Sequence, residues 1–589
     1  MEPSIQPEVK PIKFLNSINK PLKNKFVKWI AAIAAFIYLF FYLVGESDNT
    51  YNPHVPGDYH SALFADAAGY HVYLPGVFNS WFFGKVPEKA DSIAGNGFII
   101  SNDKKIRTKY PYGTALLQAP VYLIGKIHGS IVNEPYEGNS VLNHKYSDFA
   151  GIFYGLSGVF LIFFYVIKRT DFFTALLASA ILLFGTNVYY YIVKASGVSH
   201  TYSFFLFALL LHAVSYFEKR TVSSFVLLSI CCLLIYLVRP LNVLYIPLAL
   251  FIESTSFKNV KEKFLQVLTV KNILVFLVLA IILIIPQLIY WKWAFGSYLP
   301  DTYPGETFSN LLKPNVIPFL FAPHNGLIPY SPAIIIFLVC LFIYPFLCKW
   351  EGTAILVFIL VMTYLSTAWY TYSMGCGFGA RNFVEYAAIL VVPFSITVNK
   401  LLKKWFLKLS LFAILIYPIM INLTLTTNFD MCFFGKHDWD WKEYKYLFYQ
   451  KLIKIKADPE NTSNFISVPK IVTYDNQQCF STDRAEFACT LSFPFEKLNK
   501  VPTVMCSISA DINNFGSEAD FDFVVQIIRN GQQIYYSGNP IKNQLNGWYK
   551  AGNIAYFPKD ILLTDELRIF ILNKNRASLL VNNIEITTR

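Results

Sequence analysis

The stretch FVKWIAAIAAFIYLFFYLV, residues 26–44, carries a single charge, Lys28 near its start, and is otherwise apolar. A helix that crosses a bilayer needs roughly 20 such residues. No small-residue cleavage site follows Val44, so the run reads as a retained first span rather than a removable leader. Ten further candidates follow at 147–167, 171–189, 201–217, 222–238, 240–253, 272–291, 331–348, 353–370, 384–398 and 408–425, which gives about eleven spans. Composition agrees. Of 589 residues 54% are hydrophobic and only 15% charged, and the mean hydropathy is +0.41. An average soluble domain is about a quarter charged.

The net charge of +12 does not point to nucleic acid, because the basic residues sit in short loops between apolar runs. Lys10 to Lys25 precede the first span and Lys28 stands at its start, Lys168 and Arg169 follow the second, and Lys219 and Arg220 the fourth. Lys258 to Lys271 follow the sixth, Lys349 the eighth and Lys400 to Lys408 the tenth. All fall on one side of the membrane when residues 1–25 form a cytoplasmic basic tail. The transmembrane core is then 26–425, with outer loops at 45–146 and 292–330. YPYGTALLQAPVYLIG, 110–125, is apolar but short and holds two prolines. It reads as an interfacial or re-entrant helix lying on the membrane, since a span there would invert every later basic loop.

The period changes near the C-terminus. FDFVVQII (521–528) and LRIFIL (567–572) suit half-buried strands, and Asn530-Gly531 between apolar runs predicts a type I′ hairpin. Residues 466–589 therefore read as an outer β-sandwich, and the aromatic, charged segment 426–465 as a connector on the membrane surface. Cys231, Cys232, Cys340 and Cys348 lie in apolar runs and are expected to pack as small hydrophobes. One disulfide is open to Cys432, Cys479, Cys489 and Cys506, with no pairing specified.

The charges that invite a function lie at the outer ends of spans. Asp66, in FADAAGYHVYLPGVF (64–78), is a candidate general base whose partial desolvation would raise its pKa toward working pH; Asp58 is its neighbour and rival. The bland alternative is a helix cap or a solvated loop residue. Arg381, in the Gly-rich loop WYTYSMGCGFGARNF (369–383), could grip a phosphate bidentately or merely snorkel to the interface. Arg239 and Lys109 are further cations for a phosphate. His200, His324 and Tyr330 arrive at the same outer face, where lone histidines are more often structural than ligands. There is no Walker motif, no GxGxxG after a strand, no HExxH and no GxSxG, so ATP, NAD and protease chemistry lack support.

Four of these segments together resemble the GT-C class of integral membrane glycosyltransferases: FADAAGYHVYLP, TKYPYGTALLQAP (108–120), HNGLIPYSP (324–332) and GFGARNF (377–383), with WDWKEY (439–444) after the last span. The resemblance covers about residues 26–445. It implies a polytopic α-helical membrane fold, a sugar donor linked to polyprenyl phosphate, a glycan or glycolipid acceptor, surrounding membrane lipid and a catalytic Asp at Asp66. The Asp-Glu pair common in the class is absent, since Ala67 follows. Some members use a divalent metal such as Mg or Mn and others none, so metal dependence stays open. The C-terminal domain resembles jelly-roll, carbohydrate-binding-like domains of bacterial surface proteins, a fold-level likeness only. The expectation is an inverting glycosyltransferase of the bacterial cytoplasmic membrane. The alternatives are a lipid-linked glycan flippase, which would bury charges mid-span in two repeated halves, and a non-catalytic glycan-binding scaffold.

Overall fold

The computed structural model describes residues 25–48, 54, 56–57, 61–375, 377–429, 441, 444–445, 471–473, 479–481, 487–495, 505–514, 519–543, 548–556, 561–574 and 579–588. The expected connector and the basic tail lie almost wholly outside the described residues, as do Asp58 and the side chains of the C-terminal cysteines.

Among the described residues, eleven long α-helices form the bundle: α1 Lys25–Glu46, α2 Gly113–Val132, α3 Val141–Val166, α4 Phe172–Gly185, α5 Ser199–Phe217, α6 Val222–Val238, α7 Val270–Phe295, α8 Ile334–Leu347, α9 Lys349–Ala368, α10 Phe383–Leu401 and α11 Trp405–Asn428. Eight of the described helices are long and apolar enough to cross a membrane; α4, α6, α8 and the 3-10 helix Pro240–Leu250 are shorter. A helix apolar on every side is either central or lipid-bathed. α10 is central, with every side chain from Phe383 to Val398 buried. α7 is peripheral, and Leu274, Leu277, Val278, Ile281, Ile282, Ile285 and Ile289 are exposed on it.

The two ends of the bundle differ. At one end Arg169 donates both Nη atoms to Glu351, at 2.8 and 2.7 Å, and Lys263 bonds Ile252 O. At the other end Ser47 bonds Asp148, Asn143 meets His71, and Tyr112 N donates to Gln287. The 3-10 helix runs between the ends, from Arg239 to Glu253, where 240–253 was expected as an ordinary span. Its 11 residues cover about 22 Å at ~2.0 Å per residue, Pro240 stands at its first position, and Pro247 inside it removes a backbone donor.

The expected short helix at 110–125 is longer than its sequence suggested: α2 has 20 residues, continuing past Lys126 and His128. Its N-terminal end bonds Gln287, and Gly125 and Gly129 press on Tyr136, Tyr146 and Leu142 at the start of α3. Both halves therefore pack at the same end of the bundle, which favours a helix lying across that end despite its span-like length.

The β region contains the expected strands. After a ribbon of β1 Ile99–Ile100 and β2 Ile106–Arg107 come β3 Ile471–Thr473, β4 Cys479–Ser481, β5 Phe487–Pro494, β6 Met505–Asn514, β7 Ala519–Arg529, β8 Gln532–Asn543, β9 Trp548–Tyr556, β10 Glu566–Asn573 and β11 Leu579–Thr588. One antiparallel sheet has the order β5-β10-β7-β8; the other has β3-β11-β6-β9, with β4 also pairing β11. Asn553 of β9 donates to Phe523 O and Ser537 O, each at 2.9 Å, and so ties the two sheets together. The hairpin turn has φ of 50° at Asn530 and 80° at Gly531, as a type I′ turn requires.

Candidate functional site

Asp66 opens the short helix Asp66–His71 without capping it, since no side-chain cap bond is made there. Its carboxylate faces inward to two donors from distant parts of the chain. Tyr110 OH donates to Oδ1 at 2.5 Å, and Arg381 Nη1 donates to Oδ2 at 3.1 Å. The approach is made tight by backbone contact. A Cβ on Gly97 would stand 1.9 Å from Ala65 O, and Ala65 itself is held at a φ of 46°, a strained value for a residue other than glycine. The Asp66 side chain keeps 38% of its exposure and that of Arg381 29%, so the pair borders open space.

Burial pushes the Asp66 carboxyl up, but Arg381, the Tyr110 hydroxyl and Lys109 outweigh it and hold it below the usual carboxylate range. The expectation of a raised pKa is thus corrected: the counter-charge wins over desolvation. Asp66 is an anion at neutral pH.

Two more ion pairs stand around the same space. Lys109 Nζ donates to Glu306 at 2.6 Å and lies over the rings of Tyr110 and Tyr303. Arg239, at the end of α6, reaches Glu385 at 3.3 Å, His200 Nε2 at 3.0 Å and Asn382 Oδ1 at 3.0 Å. Tyrosines connect the pairs. Tyr70 stacks on Tyr110 with centroids 4.0 Å apart and receives a bond from Ser199. Burial raises the Tyr70 hydroxyl, Arg239 and Arg381 pull it down and Asp66 pushes it up, so all three charges act on one phenol.

The Gly-rich loop is pinned from behind. Asn325 donates to Ser373 O and Gly375 O, Asn187 to Ala380 O, and Phe378 N to Tyr191 OH. Gly379 has a φ of 62°, and a Cβ there would meet Tyr330 Cβ at 2.9 Å. His324 and Tyr330 belong to this supporting layer. Tyr330 OH is spent on Pro323 O at 2.9 Å, and its ring meets Phe378, Phe429 and Tyr444; His324 is buried. His200 is also buried and bonds Glu385. The structure therefore joins Asp66, Arg381, Arg239 and Lys109 around one space, with His200 behind Arg239. His324 and Tyr330 stand beneath the loop.

Sequence reasoning missed Tyr70, Tyr110, Glu306 and Glu385. Glu385 left a signal, since it is the one acid in the apolar run 384–398. Also missed was a group of three candidate metal ligands, Asp48, His54 and Asp148, whose ligand atoms lie within 4.8 Å of one another. Two carboxylates and an imidazole suit a divalent ion, and Ser47 and Ser196 each bond Asp148 behind them. Burial raises the Asp48 carboxyl and His54 lowers it, with a net rise.

No protein-family model matches the sequence, and no curated protein matches it. Among solved structures the chain is similar to an oligosaccharyltransferase of Archaeoglobus fulgidus crystallised with Zn and sulfate, with a TM-score of 0.32 and 12% identity over 62% of this chain and 51% of that one. It is also similar to the archaeal oligosaccharyltransferase AglB of the same organism, in complex with an inhibitory peptide and a dolichol-phosphate, with a TM-score of 0.39 and 12% identity over 76% of this chain and 62% of that one. The chain spans less than two thirds of the length of either structure.

Proposed function

We propose that the protein is a membrane glycosyltransferase that moves a sugar from a polyprenyl-phosphate donor to an acceptor hydroxyl at the outer face of the cytoplasmic membrane, with inversion. The observation that carries this reading is the contact between Asp66 and Arg381, 3.1 Å apart and partly exposed, with Lys109 over the Tyr110 ring and Arg239 acting on Tyr70, which packs on Tyr110.

The chemistry needs an anion to take a proton and cations to receive a phosphate. Donor phosphate entering between Arg381 and Arg239 draws Arg381 away from Asp66. The carboxylate then keeps its burial and loses its counter-charge, and its proton affinity rises when a base is required. Asp66 takes the acceptor's hydroxyl proton, the acceptor oxygen bonds to the anomeric carbon, and the bond from that carbon to the phosphate oxygen breaks. The polyprenyl phosphate leaves with one more negative charge, opposite Arg381, Arg239 and Lys109. A divalent ion would be held by Asp48, His54 and Asp148 and would supply fixed positive charge there, and no step of the transfer passes through it.

The test uses the full chain in lipid nanodiscs, a polyprenyl-phosphate-linked radiolabelled sugar, and the glycan fraction of the native envelope as acceptor. Asp66→Asn is expected to reduce transfer by about 100-fold or more with an unchanged melting temperature. Undiminished transfer would refute the assignment.

A further inference from the structure

Each cation at the site has a carboxylate partner, and Glu385 differs from the other two. The side chains of Asp66 and Glu306 are partly exposed, whereas that of Glu385 is fully buried in the first turn of α10. It cannot touch a ligand in the open space. Its Oε2 stands 2.9 Å from His200 Nδ1, the nitrogen that Arg239 Nη1 also approaches to 2.6 Å, and its Oε1 stands 3.3 Å from Arg239 Nη1 and 3.5 Å from Asn242 Nδ2. Asn382, three residues earlier, accepts from the other terminal nitrogen of Arg239 at 3.0 Å. The guanidinium is thus held from the α10 side on both terminal nitrogens, and the Arg239 side chain still keeps 21% of its exposure.

A cation so restrained has a use. Tyr70 links Asp66 and Arg239: its ring packs on Tyr110, which bonds Asp66, and its hydroxyl accepts from Ser199, the neighbour in sequence of the His200 that Arg239 contacts. A mobile Arg239 would be drawn to the Asp66 carboxylate, neutralising the base and leaving the phosphate one cation. An arginine has five N–H donors in a rigid fork, so two committed nitrogens leave further donors for an incoming oxyanion.

We propose that Glu385, together with His200 and Asn382, is a positioning residue that fixes Arg239 as the second phosphate-binding cation of the site. This rests on the donor reading above, yet it concerns phosphate binding and not sugar transfer.

The experiment measures binding of farnesyl phosphate, with farnesol as the uncharged control, to the full chain in nanodiscs. Glu385→Gln is expected to weaken farnesyl phosphate about tenfold and to leave farnesol unchanged, as loss of one charge-assisted contact at a phosphate would. Arg239→Gln should weaken it to a similar degree, and the Glu385→Gln/Arg239→Gln double variant no further than Arg239→Gln alone. Glu385→Asp should restore part of the binding. Wild-type affinity in Glu385→Gln would overturn the proposal, as would an equal further loss in the Arg239→Gln background, the signature of a merely structural ion pair. Should Glu385→Gln fail to fold, Asn382→Ala decides by the same logic: a weakening present with Arg239 and absent without it supports the proposal, and any other pattern overturns it. A wild-type chain that binds farnesyl phosphate but transfers no sugar would refute the glycosyltransferase reading and leave this one standing.

Discussion

At the scale of the residue, Asp66 is governed by two opposed terms: burial, which favours the neutral acid, and the adjacent Arg381, which favours the anion. The second is the stronger, so the folded carboxyl lies below its unfolded value. The stability this contributes is present above the unfolded pKa of about 3.9 and is lost as the pH falls through the lower folded value. For the free enzyme, the acid limb of kcat/KM attributable to Asp66 should therefore lie below pH ~4. In Arg381→Gln burial is no longer opposed by that charge, and the acid limb should move to higher pH. A pH–rate series on both proteins checks this; an unmoved limb would separate Asp66 from the rate. Asp66 and Arg381 stood out singly, as charges at the ends of apolar runs and within a Gly-rich loop, and a family resemblance added to both; their pairing was not legible, because the contact closes over 315 residues. Glu306 and Tyr110 gave no local signal, because their partners lie 197 and 44 residues away along the chain.

At the scale of the element, the Gly-rich loop and the segment 321–332 act as one unit. Asn325 ties the loop's backbone, and Tyr330 fills the space that a side chain at Gly379 would need. Gly379→Ala would force a left-handed backbone on an L side chain, costing about 1–2 kcal/mol for the conformation alone, besides the contact with Tyr330. The expected result is a lower melting temperature and a lower kcat/KM, because Arg381 follows two residues later. A variant with wild-type values in both would show that the loop does not hold Arg381 in place. The glycines of this loop were legible as a tight turn. His324 and Tyr330 were legible only as polar groups near an entrance, and the sequence could not show that Pro323 already takes the Tyr330 hydroxyl.

At the scale of the whole molecule, lipid as solvent imposes long apolar runs, so the helical bundle was readable at once. Two segments were misjudged where backbone chemistry competes with hydropathy. One expected span is a 3-10 helix with Pro247 inside it, and α2 continues beyond an apparent polar end. The placement of α2 bears on orientation, because a crossing helix would put Lys104 and Lys168 on the same side. Single cysteines at Lys104 and Gln532 should react with a membrane-impermeant maleimide on intact cells, and one at Lys258 only after permeabilisation. The reverse pattern would refute the proposed orientation.

The central claim is that the cations beside Asp66 receive the donor's phosphate. The most direct measurement is a cryo-electron microscopy structure of the full chain in a nanodisc with a polyprenyl-phosphate-linked sugar. The phosphate is expected within hydrogen-bond reach of Arg381 and Arg239, with the anomeric carbon facing the Asp66 carboxylate. A donor bound with its phosphate beyond reach of both arginines would contradict the account.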